Sequence, residues 1–482
     1  MDAQRKPSFA SAIGLLVAIF IIFAVGIGLL NYPVEFTLIC ITIVTSIYAG
    51  YYGGSWSAVM NVLVGKIKDA VPAILLLLSI GMLIGSWMVS GTIPQMVYYG
   101  LAVINPAYLY LTAFLVTVCI STFTGTSWGT AGTIGVALMA VASAMEVSLP
   151  ITAGAVISGA YFGDKLSPLS DTTNMAAIAA GADLYQSIRN MLYTSLPAFV
   201  LACIGFYLLG NHLSGGSSAQ MATIAVMKSS LSSLFWLNPL LLSPALLVFY
   251  GAIKKWDSVI VLVASSLFGL LLSLVFQNIP LADMVNAVIN GFKSEMLPGL
   301  QTLTMDEATA KNINVLLNRG GMYSMVGPIV VMLCAFVFAS ALDVSGALAV
   351  ILERLVKKLN TITRTLLATM ITSSVLVACT GNAVISFFIV KSMYDPCYKE
   401  KKLHMVNMSR AMESGATLLE GLFPWTISGM FMAKTLGVAT LDYAPFVLFN
   451  LCCLLMAVLY AILPRWTNFG TRFETAEAHS QA

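Results

Sequence analysis

The stretch SGAYFGDKLSPLSDTTNMA, residues 158–176, sets Asp164, Lys165 and Asp171 inside an otherwise apolar run and interrupts that run with Pro168. Proline lacks a backbone N–H and disfavours helix at the residue before it, so a helix entering this stretch is expected to open at Ser167. The pattern returns 256 residues later. Seven of the 24 positions from 158 to 181 are identical to their partners from 414 to 437: Ser158, Gly159, Ala160, Leu166, Pro168, Ala177 and Gly181 meet Ser414, Gly415, Ala416, Leu422, Pro424, Ala433 and Gly437. Asp164 returns as Glu420, and upstream Thr124-Gly125 returns as Thr380-Gly381. Related halves that keep glycine, proline and carboxylates at matching mid-segment positions are the pattern of a secondary transporter.

Around these stretches the 482-residue chain is 59% hydrophobic and 9% charged, with a mean hydropathy of +0.89. Soluble domains keep about a quarter of their residues charged. Runs of roughly 20 apolar residues, enough to cross ~30 Å of hydrocarbon, recur from end to end. They are continuous rather than alternating, which predicts helices and not a barrel. The expected fold is an all-α polytopic membrane protein of two repeats, with broken or re-entrant helices and about 10–12 spans. An odd number of crossings per half inverts one repeat relative to the other; inversion is the expected arrangement and a parallel pair the alternative. Residues 1–210 form the first repeat, 211–237 a polar connector, 238–464 the second repeat and 465–482 a cytoplasmic tail.

Residues 11–30 resemble a signal peptide, but their length and the lack of a small-residue cleavage site predict a retained first span. Residues 53–68 and 91–106 are too polar to cross and are expected along the interface. Basic residues gather in short loops (Arg5 and Lys6, Lys66 and Lys68, Lys254 and Lys255, and residues 399–402), which places both termini in the cytoplasm. The eight cysteines are scattered without a C-x-x-C pair and read as small core residues. A net charge of +3 carries no nucleic-acid signal. No G-x-x-x-x-G-K-[ST] run is present, so energy is expected from an ion gradient rather than ATP. No Ser/His/Asp or metal constellation suggests catalysis, and no cofactor is expected.

The residues that remain polar carry the chemistry. Residues 124–132, TGTSWGTAG, hold three glycines and four hydroxyls. Gly125 and Gly129 each weaken a helix by about 1 kcal/mol relative to alanine, and an unwound turn there offers Thr126, Ser127 and Thr130 to a hard cation such as sodium. The same small residues also suit close helix packing; recurrence as Thr380-Gly381-Asn382 favours ion binding, with Gly381 as the matching break. Asp171, Thr172, Thr173 and Asn174 form a compact set of oxygens for the ion. Burying a charge at a helix centre costs at least ~2.5–3.5 kcal/mol, which argues that Asp164 has a use in exchanging a proton. The alternative is a structural ion pair of Asp164 with Lys165 or Arg189. Glu413 and Glu420, seven residues apart, share a helical face ahead of the Pro424 interruption and are the second-half proton carriers. A local Arg410–Glu413 pair is the competing reading. Asp343, Glu146, His212, His404 and His479 are expected at interfaces or in solvated loops.

The stretches FTGTSWGTAGTIGVAL (residues 123–138) and SGAYFGDKLSPLSDTTNMA closely resemble the NhaC family of sodium/proton antiporters, within the wider ion transporter superfamily. The second half agrees more loosely through ACTGN (378–382), HMVNMSRAMESGATL (404–418) and FPW (423–425). The resemblance implies an inverted-repeat fold, a bacterial inner-membrane location, exchange of sodium for protons, and a possible homodimer. Family members also exchange malate for lactate or are proposed to carry amino acids, so a sodium- or proton-coupled carrier of a small organic anion or amino acid is the alternative. Asn382 stands where an acidic residue is expected, Ser414 where Asp is expected, Glu420 in place of a small hydroxyl residue and Thr426 in place of Asn. These exchanges keep the organic-solute reading open.

Overall fold

Apolar runs of the expected length fold as helices. The computed structural model describes residues 6–30, 32–213, 218–254, 256–297, 313–314, 316–356, 359–463 and 470–474. Among them, nine helices are long and apolar enough to cross a membrane, or up to eleven if two bent pairs each count as one span. The protein is an all-α polytopic membrane protein. Its outer surface is apolar: Leu29, Val103 and Val275 are 74%, 84% and 75% exposed, as side chains facing lipid would be. Inside, the largest core cluster draws on both halves, bringing Trp87, Phe114, Met139 and Phe206 together with Phe431.

Residues 53–68 do not form a separate interfacial piece. A single 34-residue helix, Trp56–Val89, runs through Pro72. Proline inside a membrane helix is tolerated where neighbours re-satisfy the freed backbone, and here one side of the helix is held down by burial of Val59, Leu63, Lys66 and Ala70. Lys66 Nζ meets Asp343 Oδ2 at 2.9 Å, so Asp343 is an ion-paired residue. The Thr92–Val103 helix spans only 12 residues, about 18 Å, and does not cross.

The stretch expected as a connector carries the Ser218–Leu234 helix, with Met227 and Leu231 buried in the core. Of residues 465–482, only 470–474 are described. They lie along residues 402–407: Leu403 bridges Phe473, His404 N donates to Arg472 O at 3.1 Å and Glu474 N to Lys402 O at 2.9 Å. His404 therefore sits in a paired segment, its Nδ1 accepting from Val406 N at 3.3 Å. Arg5, Lys255, His479 and much of the 283–319 stretch lie outside the described residues.

Candidate functional site

The helices break at Gly125, Gly381 and the Pro168 and Pro424 turns, whereas Gly129, also expected to break a helix, lies within the short Ser127–Thr130 helix. In the first half, the Leu109–Thr124 helix ends at Gly125 with φ of 69°, a left-handed conformation that favours glycine. Thr126 then caps the short Ser127–Thr130 helix by accepting from Gly129 N at 3.1 Å, and the chain passes through a wide π-turn, Ala131–Gly135, into Val136–Ala144. The Leu149–Leu166 helix opens at residues 167–170 and restarts as Asp171–Ala180. Ser170 caps the restart by accepting from Thr173 N at 3.2 Å. The two interruptions touch: a Cβ on Gly125 would lie 2.6 Å from the Leu169 carbonyl carbon.

The second half repeats this at a spacing of 256. The Ile362–Thr380 helix ends at Gly381, φ 73°. Asn382, the counterpart of Thr126, caps the Ala383–Glu400 helix by accepting from Val384 N at 2.8 Å and Ile385 N at 3.2 Å. Thr426, the counterpart of Ser170, caps Ile427–Leu436 by accepting from Gly429 N at 3.1 Å. The restarted helices end alike at Gly181 and Gly437, each with φ of 72°. Even hydroxyl pairs recur: Thr124 and Thr130 oxygens lie 3.5 Å apart, those of Thr380 and Ser386 3.4 Å apart. Two elements depart from the repeat: the Ala131–Gly135 π-turn corresponds to a regular stretch of the Ala383–Glu400 helix, and the helix that carries Glu413 differs as well. Val406–Met412 continues into a π-turn, Glu413–Thr417, where the first-half helix is regular. A π-turn carries one extra residue and recurs at functional sites.

The halves interlock through polar groups. Trp128 stacks on Phe431 with ring centroids 4.6 Å apart and its Nε1 donates to Ser428 Oγ at 3.2 Å. Asp164, 4% exposed, accepts from Ser127 Oγ at 2.7 Å through Oδ2. Among the described residues it forms no salt bridge, so neither Lys165 nor Arg189 is its ion partner. Lys165, 1% exposed, turns to the other half instead, with Nζ 4.0 Å from Glu413 Oε2 and 3.4 Å from Ser414 Oγ. Arg410 does not pair with Glu413 either. Its Nη1 donates to Asn190 Oδ1 at 3.1 Å and Gly470 O at 2.7 Å. Asp164, Glu413 and Glu420 are all buried.

Several expected ion ligands are engaged in holding the breaks. Thr173 Oγ1 donates to the carbonyls of Asp164 and Lys165, both at 3.2 Å. Asn174 Nδ2 donates to Pro168 O at 3.0 Å and Ser170 O at 2.6 Å. Thr130 Oγ1 donates to Thr126 O at 2.8 Å, and Thr380 Oγ1 to Asn382 O at 3.1 Å. Thr172 shares a hydrogen bond with Ser170 Oγ at 3.0 Å. Asp171 is exposed, at the first position of its helix. Thr426 bonds the Glu420 carbonyl, and Pro424 lies in the turn between Glu420 and Thr426. The reach of Lys165 to Ser414 and Glu413 is not legible in the sequence, where Lys165 reads as a partner of Asp164; Ser414 is marked there by its identity with Ser158 and by standing where Asp is expected.

The description of the family model that matches residues 159–464 is the Na+/H+ antiporter family. This segment holds the first-half proline break and the whole second half. The chain belongs to the Na+/H+ antiporter family. It is 38% identical over 456 residues to an uncharacterized Na+/H+ antiporter of Haemophilus influenzae, covering 95% of this chain and 96% of that protein. It is 34% identical to the Na+/H+ antiporter NhaC of Bacillus subtilis, covering 96% and 100%, and 33% identical to the malate-2H+/Na+-lactate antiporter of the same organism, covering 95% and 96%. In this member of the Na+/H+ antiporter family, three carboxylates, Asp164, Glu413 and Glu420, are buried beside the broken helices, and a carboxylate is a group that can hold either a cation or a proton.

Proposed function

We propose that this protein is a sodium/proton antiporter of the bacterial inner membrane, with both termini in the cytoplasm and its two halves inverted. The observation that carries the reading is Asp164. It is a buried carboxylate with no cationic partner among the described residues, hydrogen-bonded to Ser127 and packed between the two first-half breaks. Asp171 and Thr172 receive sodium at the exposed restart of the helix, and the oxygens of residues 124–130 complete its path inward. Asp164, with Glu413 and Glu420, exchanges the proton, since a carboxylate that binds either ion couples the two by competition. The test is sodium-triggered proton movement in proteoliposomes with a pH-sensitive dye and no organic solute. The wild type is expected to respond and the Asp164→Asn and Asp171→Asn variants to be silent; robust exchange in either variant removes that residue from the path.

A cavity lined by Asn318, Arg319, Ser324, Lys434 and Thr435 favours a second reading. Two cationic side chains there suit a small carboxylate, as would a malate/lactate-type carrier. Proton movement that appears only when malate or lactate is added would move the weight to it.

A further inference from the structure

One charged contact between the halves is incomplete. Glu413 opens the π-turn and is fully buried, yet neither of its carboxylate oxygens accepts a hydrogen bond from the described residues. Its salt-bridge partner, Lys165, stops 4.0 Å short and donates to Ser414 Oγ instead. Charge-assisted hydrogen bonds run about 2.7–2.9 Å, so the ammonium attracts the carboxylate without satisfying a lone pair. Thr417, one turn further on, also buries an unpartnered oxygen, Oγ1. Buried polar groups left this way are costly and rare.

We propose that the π-turn is a monovalent-cation site, formed by the Glu413 carboxylate with the Ser414 and Thr417 hydroxyls, in which the Lys165 ammonium is a tethered competitor of sodium. Both cations carry one positive charge. The lysine's reach is set by its stem and its protons are directional, whereas a sodium ion has neither restriction and can close on the oxygens that Lys165 leaves at a distance. Lys165 belongs to the first-half break and Glu413 to the second half, so replacing one cation by the other changes a contact between the halves. The site rests on the sodium-exchange reading and gives it a residue, Lys165, outside the carboxylate set.

The test uses the purified full chain in detergent at a fixed pH of about 9, where protons compete least for a carboxylate. Sodium is titrated against thermal unfolding, with choline holding ionic strength constant. A ligand of the folded state raises the unfolding temperature, and the sodium midpoint is the readout. Lys165→Gln keeps Glu413 and removes the competitor, so its midpoint is expected to fall about tenfold. A purely structural lysine would leave the midpoint unchanged or raise it, and either result overturns the site. Thr417→Val preserves shape and loses one oxygen. Its midpoint is expected to rise severalfold, and an unchanged value overturns the site even if Lys165→Gln does not fold. A wild type that shows no response to sodium counts instead against sodium exchange itself.

Discussion

Ser127 donates its hydroxyl to Asp164 Oδ2 at 2.7 Å, joining the two broken segments of the first half inside the protein. A hydrogen bond to a charged group contributes about 1.5–3 kcal/mol, so Ser127 favours the ionised carboxylate. Ser127→Ala is expected to bind protons more readily at Asp164 and to raise the half-saturating sodium concentration about tenfold or more. The check is sodium dependence of dye response in proteoliposomes. An unchanged sodium dependence would make the contact structural only.

Gly159 and Gly415 occupy equivalent places, and each admits a neighbouring helix. A Cβ on Gly159 would lie 2.0 Å from Thr117 Oγ1 and 2.4 Å from Phe114 O; on Gly415 it would lie 2.3 Å from Met370 O and 3.0 Å from Ser373 Cβ. The partners are themselves 256 residues apart. Overpacking costs about 1–3 kcal/mol, so Gly159→Ala and Gly415→Ala should each lower the unfolding temperature in detergent. Gly14→Ala, with nothing within 4 Å of the new methyl, should not.

Gly125 and Gly381 separate two costs of adding a side chain. Both hold positive φ, where an L-residue loses about 1–2 kcal/mol. Only Gly125 also lies against Leu169, since nothing is within 4 Å of a Cβ on Gly381. Gly125→Ala is therefore expected to destabilise the protein more than Gly381→Ala. Equal losses by thermal unfolding would mean that the two first-half breaks do not bear on each other.

Arg410 joins three distant segments. Its guanidinium bonds Asn190 and Gly470, and Asn407 one turn earlier bonds Arg472 O at 2.7 Å and accepts from Arg472 N at 3.1 Å. Arg410→Ala leaves the buried Asn190 Oδ1 without this donor, and an unsatisfied buried group costs about 1–3 kcal/mol. A drop in unfolding temperature, matched by truncation before Gly470, is the expected result. A drop confined to the truncation would show that Arg410 does not hold the C-terminal segment.

The breaks, their left-handed glycines and the proline turns were legible in the sequence because each rests on local backbone chemistry repeated at 256 residues. The matching caps, Thr126 with Asn382 and Ser170 with Thr426, come from the same register. Side-chain partners were not legible. Arg410 and Glu413 are spaced for a local pair, but helical spacing says nothing of Asn190 or Gly470, which arrive from other parts of the chain. Lys165 reaches Ser414 across 249 positions, and the π-turn at Glu413 has no counterpart in the first half to announce it. The continuity of the Trp56–Val89 helix was not legible because residues 53–68 are polar for a membrane span, whereas one side of that helix is covered by protein.

Competition between ions at one carboxylate fixes a direction for the pH dependence. A protonated carboxyl holds no cation, so the half-saturating sodium concentration must rise as pH falls through the titration of the site and level off above it. Displacement of one proton per sodium gives a slope of about tenfold per pH unit, and displacement of two gives about a hundredfold. Asp164, Glu413 and Glu420 are all buried, and each member of this group that must lose its proton for sodium to bind adds to the slope. Sodium half-saturation measured from pH 6 to pH 9 in proteoliposomes should therefore steepen toward acid. Glu420→Gln removes one member of the group and should flatten the slope. A slope unchanged in that variant would leave Asp164 and Glu413 to carry the protons without Glu420.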